Sequence, residues 1–299
     1  TALASIKDII NVSIHPDNKE KVYAGTLGWG VIEFTSGTIT AVYDESNSTL
    51  GPRADAPTGG WVAIGGSAFD VDGNIWFSNT LAASTLSVFK KDGTWQAFSF
   101  PSLGIKEASF VVANQHNDKW VSLPRGQGIL VFDENKTFAS SSDDRFKKLT
   151  TSAGNGGLPS SEIYALVEDL DGEMWIGTDK GIAVFYSPDD IFSGNPSDAQ
   201  QILLEQDGHT QILLETEAVT AIAVDGANRK WIGTQTSGVY LMSEDGTEQL
   251  EHFTAENSPL FSNQITCIAI DQQTGEVFFG TAKGIISLPL GMENCAPLE

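Results

Sequence analysis

One motif recurs along the whole chain, and its clearest copy runs from Glu168 to Tyr186, E-D-L-D-G-E-M-W-I-G-T-D-K-G-I-A-V-F-Y. It reads as two short strands behind a tight turn at Asp171-Gly172. Met174 to Thr178 forms the first strand and Ile182 to Tyr186 the second. Alternation puts Trp175 and Gly177 on one side and Ile176 and Thr178 on the other. A large ring beside a glycine suits tightly stacked sheets, because the ring fills one gap while the glycine admits a neighbour. A lone hairpin of this kind is marginal in water. Repetition solves that problem.

The same pattern returns at Val22–Phe34, Ile75–Thr80, Lys119–Phe132, Lys230–Leu241 and Val277–Leu288. Its anchoring rings are Tyr23, Trp76, Trp120, Trp175, Trp231 and Phe278, roughly 44–56 residues apart, the period of a β-propeller blade. The uneven spacing predicts loop insertions on a constant frame. Each unit is expected to hold four strands, a to d: a precedes an acidic turn, b carries the ring, and c follows the glycine. The expected a strands are Ile9–Ile14, Trp61–Asp70, Ala108–Ala113, Ile163–Glu168, Val219–Val224 and Ile265–Ile270; their near-continuous apolar runs predict burial on both faces. The d strands are clearest at Thr38–Tyr43, Thr94–Phe100, Phe146–Thr150, Gln201–Glu205 and Gln249–Phe253. The sixth unit lacks a good strand d, and Thr1–Lys7 is left over. The sequence therefore predicts an all-β chain folded as a single β-propeller of six four-stranded blades over residues 1–290, with seven as the alternative. The N-terminal strand would pair with the last blade and close the ring, hiding exposed edges. Residues 291–299 would be a C-terminal tail or cloning remnant.

Composition narrows the function classes. With 17 basic and 39 acidic residues the net charge is −22, which disfavours nucleic acid and anionic membranes as general partners. No apolar run approaches the roughly 18 residues of a transmembrane span. A signal peptide is not present in this chain, which starts at Thr1 and reads as an excised or processed piece. The two cysteines, Cys267 and Cys295, are too few for a disulfide framework and lack metal-site spacing. Cys267 lies in the apolar stretch I-T-C-I-A-I and is expected to be an inert core thiol.

Antiparallel order sorts the loops into two sets, a–b and c–d turns at one end of each blade and b–c and d–a loops at the other. The a–b turns, such as D-V-D-G at Asp70–Gly73 and D-L-D-G at Asp169–Gly172, invite a calcium reading. Tight hairpin turns demand the same residues, and a calcium loop needs further oxygen ligands. No metal and no cofactor is expected. The opposite loops are longer, notably residues 44–60. They carry Trp29 and Trp61, which have no framework duty, together with Arg53, Arg125, Lys180 and Lys283. These six form the candidate ligand-binding set: two rings to stack on a pyranose, four cations to meet phosphate or carboxylate. The competing reading packs both tryptophans under the long loop and pairs the cations with acids such as Asp44, Asp55 or Asp179. Only four histidines exist, and none stands in a recognisable nucleophilic arrangement. The expectation is a non-enzyme, with a propeller lyase or glycosidase as the remote alternative.

The segment D-L-D-G-E-M-W-I-G-T-D-K-G-I resembles the two-component regulator propeller repeat of Bacteroidetes periplasmic sensors. A-V-T-A-I-A-V-D-G-A-N-R-K-W-I-G-T, H-F-T-A-E-N-S-P-L-F-S-N-Q-I, T-G-E-V-F-F-G-T-A-K-G-I and K-W-V-S-L-P-R-G-Q-G-I-L-V-F-D are more similar still to PorZ-like proteins, propeller components of the type IX secretion system. PorZ-like proteins have two propellers and a C-terminal β-sandwich that serves as secretion signal; this chain carries one propeller's worth of repeats. The resemblance implies a non-catalytic scaffold at the cell surface or in the periplasm, joined to other domains of a larger parent protein. It implies delivery of anionic lipopolysaccharide or glycan and secretion-system proteins as partners. The sensor branch implies instead the ligand-sensing propeller of a hybrid two-component system. It transfers no ligand-binding residue.

Overall fold

The structure, a computed structural model, describes residues 8–289 except 57–59, 139, 195 and 207–208. The chain is all-β and folds as a β-propeller of six antiparallel blades, with only two short 3-10 turns, Pro101–Leu103 and Pro188–Phe192, in the helical class among the described residues. Its chain divides into two compact units, residues 1–148 and 149–299.

Unit 1 holds three four-stranded blades. Blade 1 is β1 (Ile9–His15), β2 (Asn18–Thr26), β3 (Val31–Thr35) and β4 (Thr38–Tyr43). Blade 2 is β5 (Ile64–Phe69), β6 (Ile75–Asn79), β7 (Leu86–Phe89) and β8 (Trp95–Phe98), and blade 3 is β9 (Val111–Ala113), β10 (Lys119–Leu123), β11 (Gly128–Asp133) and β12 (Arg145–Leu149). In unit 2, blade 4 is β13 (Ile163–Glu168), β14 (Met174–Thr178) and β15 (Gly181–Phe185). The strand expected at Gln201–Glu205 forms over Leu203–Gln206 but does not join this blade. Gln200 makes only a single antiparallel bridge to Val184, and the chain turns away into a separate hairpin, β16 (Leu203–Gln206) with β17 (His209–Ile212). Blade 5 is complete, with β18 (Val219–Val224), β19 (Lys230–Thr234), β20 (Val239–Met242) and β21 (Gln249–Phe253); blade 6 is β22 (Ile265–Ile270), β23 (Val277–Thr281) and β24 (Gly284–Leu288). The expected pairing of Thr1–Lys7 with the last blade, and the tail 291–299 with Cys295, lie outside the described residues.

Register explains the repeated sequence. Trp175 pairs with Val167 and Val184, and Trp231 pairs with Ala223 and Leu241. Trp76, Trp120 and Trp175 are fully buried, while Tyr23 and Trp231 are nearly so. The glycine two positions on is a socket. A Cβ at Gly177 would meet Val219 Cγ1 at 2.8 Å, one at Gly233 would meet Ile265 Cγ2 at 2.6 Å, and one at Gly25 would meet Ile64 Cγ2 at 2.8 Å. Each intruder is the first residue of the next blade's strand a. The acidic turn is wired to the ring. Asp70, Asp169 and Asp225 each accept an indole N–H, from Trp76 at 2.8 Å, Trp175 at 3.1 Å and Trp231 at 3.2 Å. Their other oxygens accept the backbone amides two and four residues on. The first carboxylate of each turn is thus spent on holding the turn and the tryptophan, while Asp72 and Asp171 accept the side-chain amides of Asn117 and Asn228 in the next blade at 2.9 and 2.8 Å.

Two lysines that sequence reasoning passed over stitch blades together. Lys230 is fully buried, forms an ion pair with Asp169 at 2.9 Å, and lies 4.6 Å over the Trp175 ring of the preceding blade. Lys119, equally buried, pairs with Glu134 and lies 4.4 Å over the Trp76 ring. The K-W dipeptide at both places was the available signal.

Three expectations are corrected. Strands b and c, not a, are the fully buried ones: β14, β15 and β19 are buried throughout, whereas strand a is only partly so and β1 exposes Ile10, Val12 and Ile14. Phe278 stands in the anchor register opposite Ala269 but is 37% exposed, because among the described residues of unit 2 no further blade follows it as blade 6 follows Trp231. Cys267 is exposed rather than a core thiol, being on that same face.

Trp175→Ala should cost about 3–5 kcal/mol in denaturant melts as a large-to-small core change, while Phe278→Ala should cost clearly less. Equal losses would show that the two rings are equally buried. In blade 3, Asp118 is buried beside Asp133; desolvation first, then that like charge, pushes its carboxyl up to about 6. The folded state therefore holds this proton more tightly than the unfolded chain, so its stabilising contribution is full below the ordinary carboxylate range and is lost as pH rises through about 6. Asp118→Asn should remove that component from the melting temperature measured between pH 4 and 7; an unchanged profile would place the titration elsewhere.

Candidate functional site

The loops at the b–c and d–a end are shaped by the last residue of the W-I-G-T motif. Thr26 Oγ1 donates to Gly30 O at 2.9 Å and accepts from Trp29 N at 2.8 Å. Thr178, Thr234 and Thr281 clamp their own loops in the same way, receiving the amides of Lys180, Ser237 and Lys283. Gly30, at φ +71°, could carry no side chain, since a Cβ there would meet Tyr43 O at 2.0 Å. The sequence offered this threonine in four of the six repeats, with Asn79 and Leu123 in its place in blades 2 and 3, yet its role appears only with the loop in place.

Backbone hydrogen bonds then tie successive loops of unit 1 together. Gly30 N donates to Val62 O at 2.9 Å, Arg53 N to Trp61 O at 2.7 Å, Ala54 N to Leu81 O at 2.8 Å and Leu81 N to Lys106 O at 2.8 Å. Trp29 also forms a parallel bridge with Val62. Trp29 and Trp61 therefore stand at neighbouring backbone positions, and their side chains are 45% and 57% exposed.

The two arginines meet acids. Arg53 holds Asp55 with two parallel hydrogen bonds of 2.9 and 2.8 Å. That pair, with Glu107 adding its field, raises the guanidinium pKa, and Asp55 is lowered in turn. Arg125 holds Glu107 at 2.7 Å with its own side chain 78% exposed. Glu107 thus links Arg53 and Arg125 electrostatically. Asp44, by contrast, is occupied by Ser46. Beside the Arg125–Glu107 pair lies a cleft of about 200 Å³, walled by residues 104–107 and 123–127, with Ile105, Leu123 and Pro124 as apolar surface and Lys106 on its rim. Lys148 reaches Gln127 Oε1 at 2.6 Å. Arg125 itself sits at φ +59°, a left-handed conformation that costs a non-glycine residue free energy and tends to collect at functional loops. Sequence reasoning named Arg125 but missed the cleft, because residues 104–107 come from the preceding blade's loop.

Lys180 and Lys283 are exposed on the b–c loops of blades 4 and 6 in unit 2, with blade 5 between them. Of the histidines, His15 Nδ1 accepts the Asp17 amide at 3.1 Å and His252 Nε2 bonds Ser237 O at 2.6 Å, so neither addresses a side-chain nucleophile there.

A model of the two-component regulator propeller family matches residues 157–180. PorZ, an essential bacterial surface component of the type IX secretion system of Porphyromonas gingivalis, superposes with a TM-score of 0.82 at 28% identity, over 94% of this chain and 38% of that one. This chain therefore spans well under half of that relative's length. Virginiamycin B lyase from Staphylococcus aureus superposes with a TM-score of 0.61 at 14% identity, over 93% of this chain and 79% of that one, a likeness of fold alone. The extracellular domain of a hybrid two-component system from Bacteroides thetaiotaomicron gives a TM-score of 0.41 at 14% identity, over 97% and 44%. Comparison with curated proteins finds no match. The class defined here is a β-propeller in which one segment, residues 157–180, matches the two-component regulator propeller family. Its likeness to PorZ extends to both superposition and sequence, over one propeller's length of that protein.

Proposed function

We propose that this chain is a non-catalytic binding and scaffold propeller of a PorZ-like cell-surface protein, contributing to type IX secretion through contact with anionic lipopolysaccharide. The observation that supports it most is the superposition on PorZ across 94% of the chain at 28% identity. The chemistry of unit 1 fits the ligand. On a chain of net charge −22, Lys106 and Arg125 rim one cleft, and Arg53 is linked to it through Glu107. Exposed ion pairs such as Arg125–Glu107 are worth little, so a phosphate or carboxylate on a sugar can take the place of Glu107 at modest cost. Trp61, hydrogen-bonded through its carbonyl to Arg53, offers an apolar face nearby. Among the described residues no helix is long and apolar enough to cross a membrane. A second reading, a ligand-sensing propeller of a hybrid two-component system, draws on the family match at residues 157–180.

Titration of the purified chain with anionic lipopolysaccharide should give binding that weakens with salt and falls by about tenfold or more in Arg125→Glu, equivalent to one charge-assisted contact. Trp61→Ala should weaken it further. Equal binding by parent and variants with unchanged melting would remove the ligand from this cleft, and no binding by the parent would remove the ligand class.

A further inference from the structure

The residue opposite the last position of strand a decides how a blade meets the ring of the blade before it. In blade 3 that residue is Lys119, opposite Ala113, and in blade 5 it is Lys230, opposite Val224. Both lysines reach back over the preceding tryptophan, 4.4 Å from the Trp76 centroid and 4.6 Å from that of Trp175. In blade 6 the same register position, opposite Ile270, holds Val277. Valine ends at Cγ and carries no charge. A cavity of about 270 Å³ lies at that junction, with Trp231, Asp225, Ile270 and Val277 among its walls. Gln272, Gln273 and Thr274 of the acidic turn are its exposed rim, while Trp231, Asp225 and Val277 are buried.

The walls carry what Lys230 meets between blades 4 and 5. Asp225 is wired as Asp169 is: one oxygen accepts the amides two and four residues on, and the other accepts the indole N–H. On Asp169 that second oxygen also takes Lys230 Nζ at 2.9 Å. On Asp225 it takes Arg229 Nε at 2.8 Å, a donor from its own turn rather than from the next blade. Phe253 stacks on Trp231 at 5.8 Å, and Phe279 leans on it at 5.7 Å. A stacked phenylalanine does not keep a cation away. Phe98 stands in the register of Phe253, stacks on Trp76 at 5.4 Å, and leaves room for Lys119. A tryptophan and a carboxylate at the end of a short apolar passage suit an ammonium carried on an alkyl stem.

We propose that the cavity between blades 5 and 6 binds an alkylammonium group, with its nitrogen at Trp231 and Asp225 and its stem along Ile270 and Val277. The ligand does from outside what Lys119 and Lys230 do from within, and its source is a free polyamine or a lysine side chain of another protein. The site goes beyond the scaffold reading and does not rest on it.

The test follows the indole resonances of the seven tryptophans of the whole isotope-labelled chain during titration with cadaverine, with the peptide acetyl-Gly-Lys-Gly-amide, and with pentanol as the uncharged control. The Trp231 indole should shift saturably with cadaverine, and the Trp175 indole, whose lysine is built in, should stay. Pentanol should bind about tenfold more weakly or worse, the scale of one lost cation contact. A response to cadaverine alone would assign the site to free amines, and a response to the peptide as well would assign it to a lysine side chain. Val277→Lys supplies stem and charge from the chain itself and should abolish the Trp231 response. Should that variant fail to fold, Arg229→Ala, which removes the competing guanidinium, must tighten cadaverine binding. No Trp231 response, an equal response to pentanol, a common shift of all the indoles, or a response intact in folded Val277→Lys would each overturn the site.

Discussion

The structure depends on a carboxylate that never touches a ligand. The first aspartate of each complete acidic turn accepts its own turn's amides with one oxygen and the indole N–H of the strand-b tryptophan with the other. A buried indole N–H without an acceptor is costly, and so is a buried carboxylate without donors. Each group removes the other's penalty, and the ring is fixed in the one plane that leaves the glycine socket open. The next blade's Val219 or Ile265 can then seat against Gly177 or Gly233. Blade stacking follows from that hydrogen bond.

The buried lysines extend the same logic. Lys230 brings a full charge into the gap between blades 4 and 5, where Asp169 neutralises it and the Trp175 face receives it. Such pairs contribute less to net stability than to uniqueness, since a hydrophobic substitute often packs as well. Their value here is register: Lys230 finds its carboxylate only if blade 5 docks in one position on blade 4.

A frame fixed at the acidic turns leaves other positions free to differ, and the two cavities show how far. In unit 1, loops joined by backbone hydrogen bonds gather cations around one glutamate. In unit 2, a valine at the register position of the stitching lysines leaves a cavity beside Trp231. The stiff repeat carries both chemistries without altering its core.

Periodicity alone was enough for the all-β class, the six repeats, the anchoring rings and the role of glycine, because ring, glycine and turn are dictated by alternation and tight packing within about fifty residues. The ends of β4 and β21 could be read to the residue. Trp29 and Trp61 were legible as rings without framework duty, and Arg53 and Arg125 as loop cations. What only tertiary structure decided lies between repeats. Lys119 and Lys230 carry no signal of their own until the preceding blade's ring is beneath them. Phe278 and Cys267 read as core until their exposure on the outer face of blade 6 within its unit is known. Glu107 and Val277 gain meaning from partners on other loops and strands. Sequence period reports what a strand needs from its own repeat; which neighbour arrives, and with what charge, is fixed only when the repeats pack.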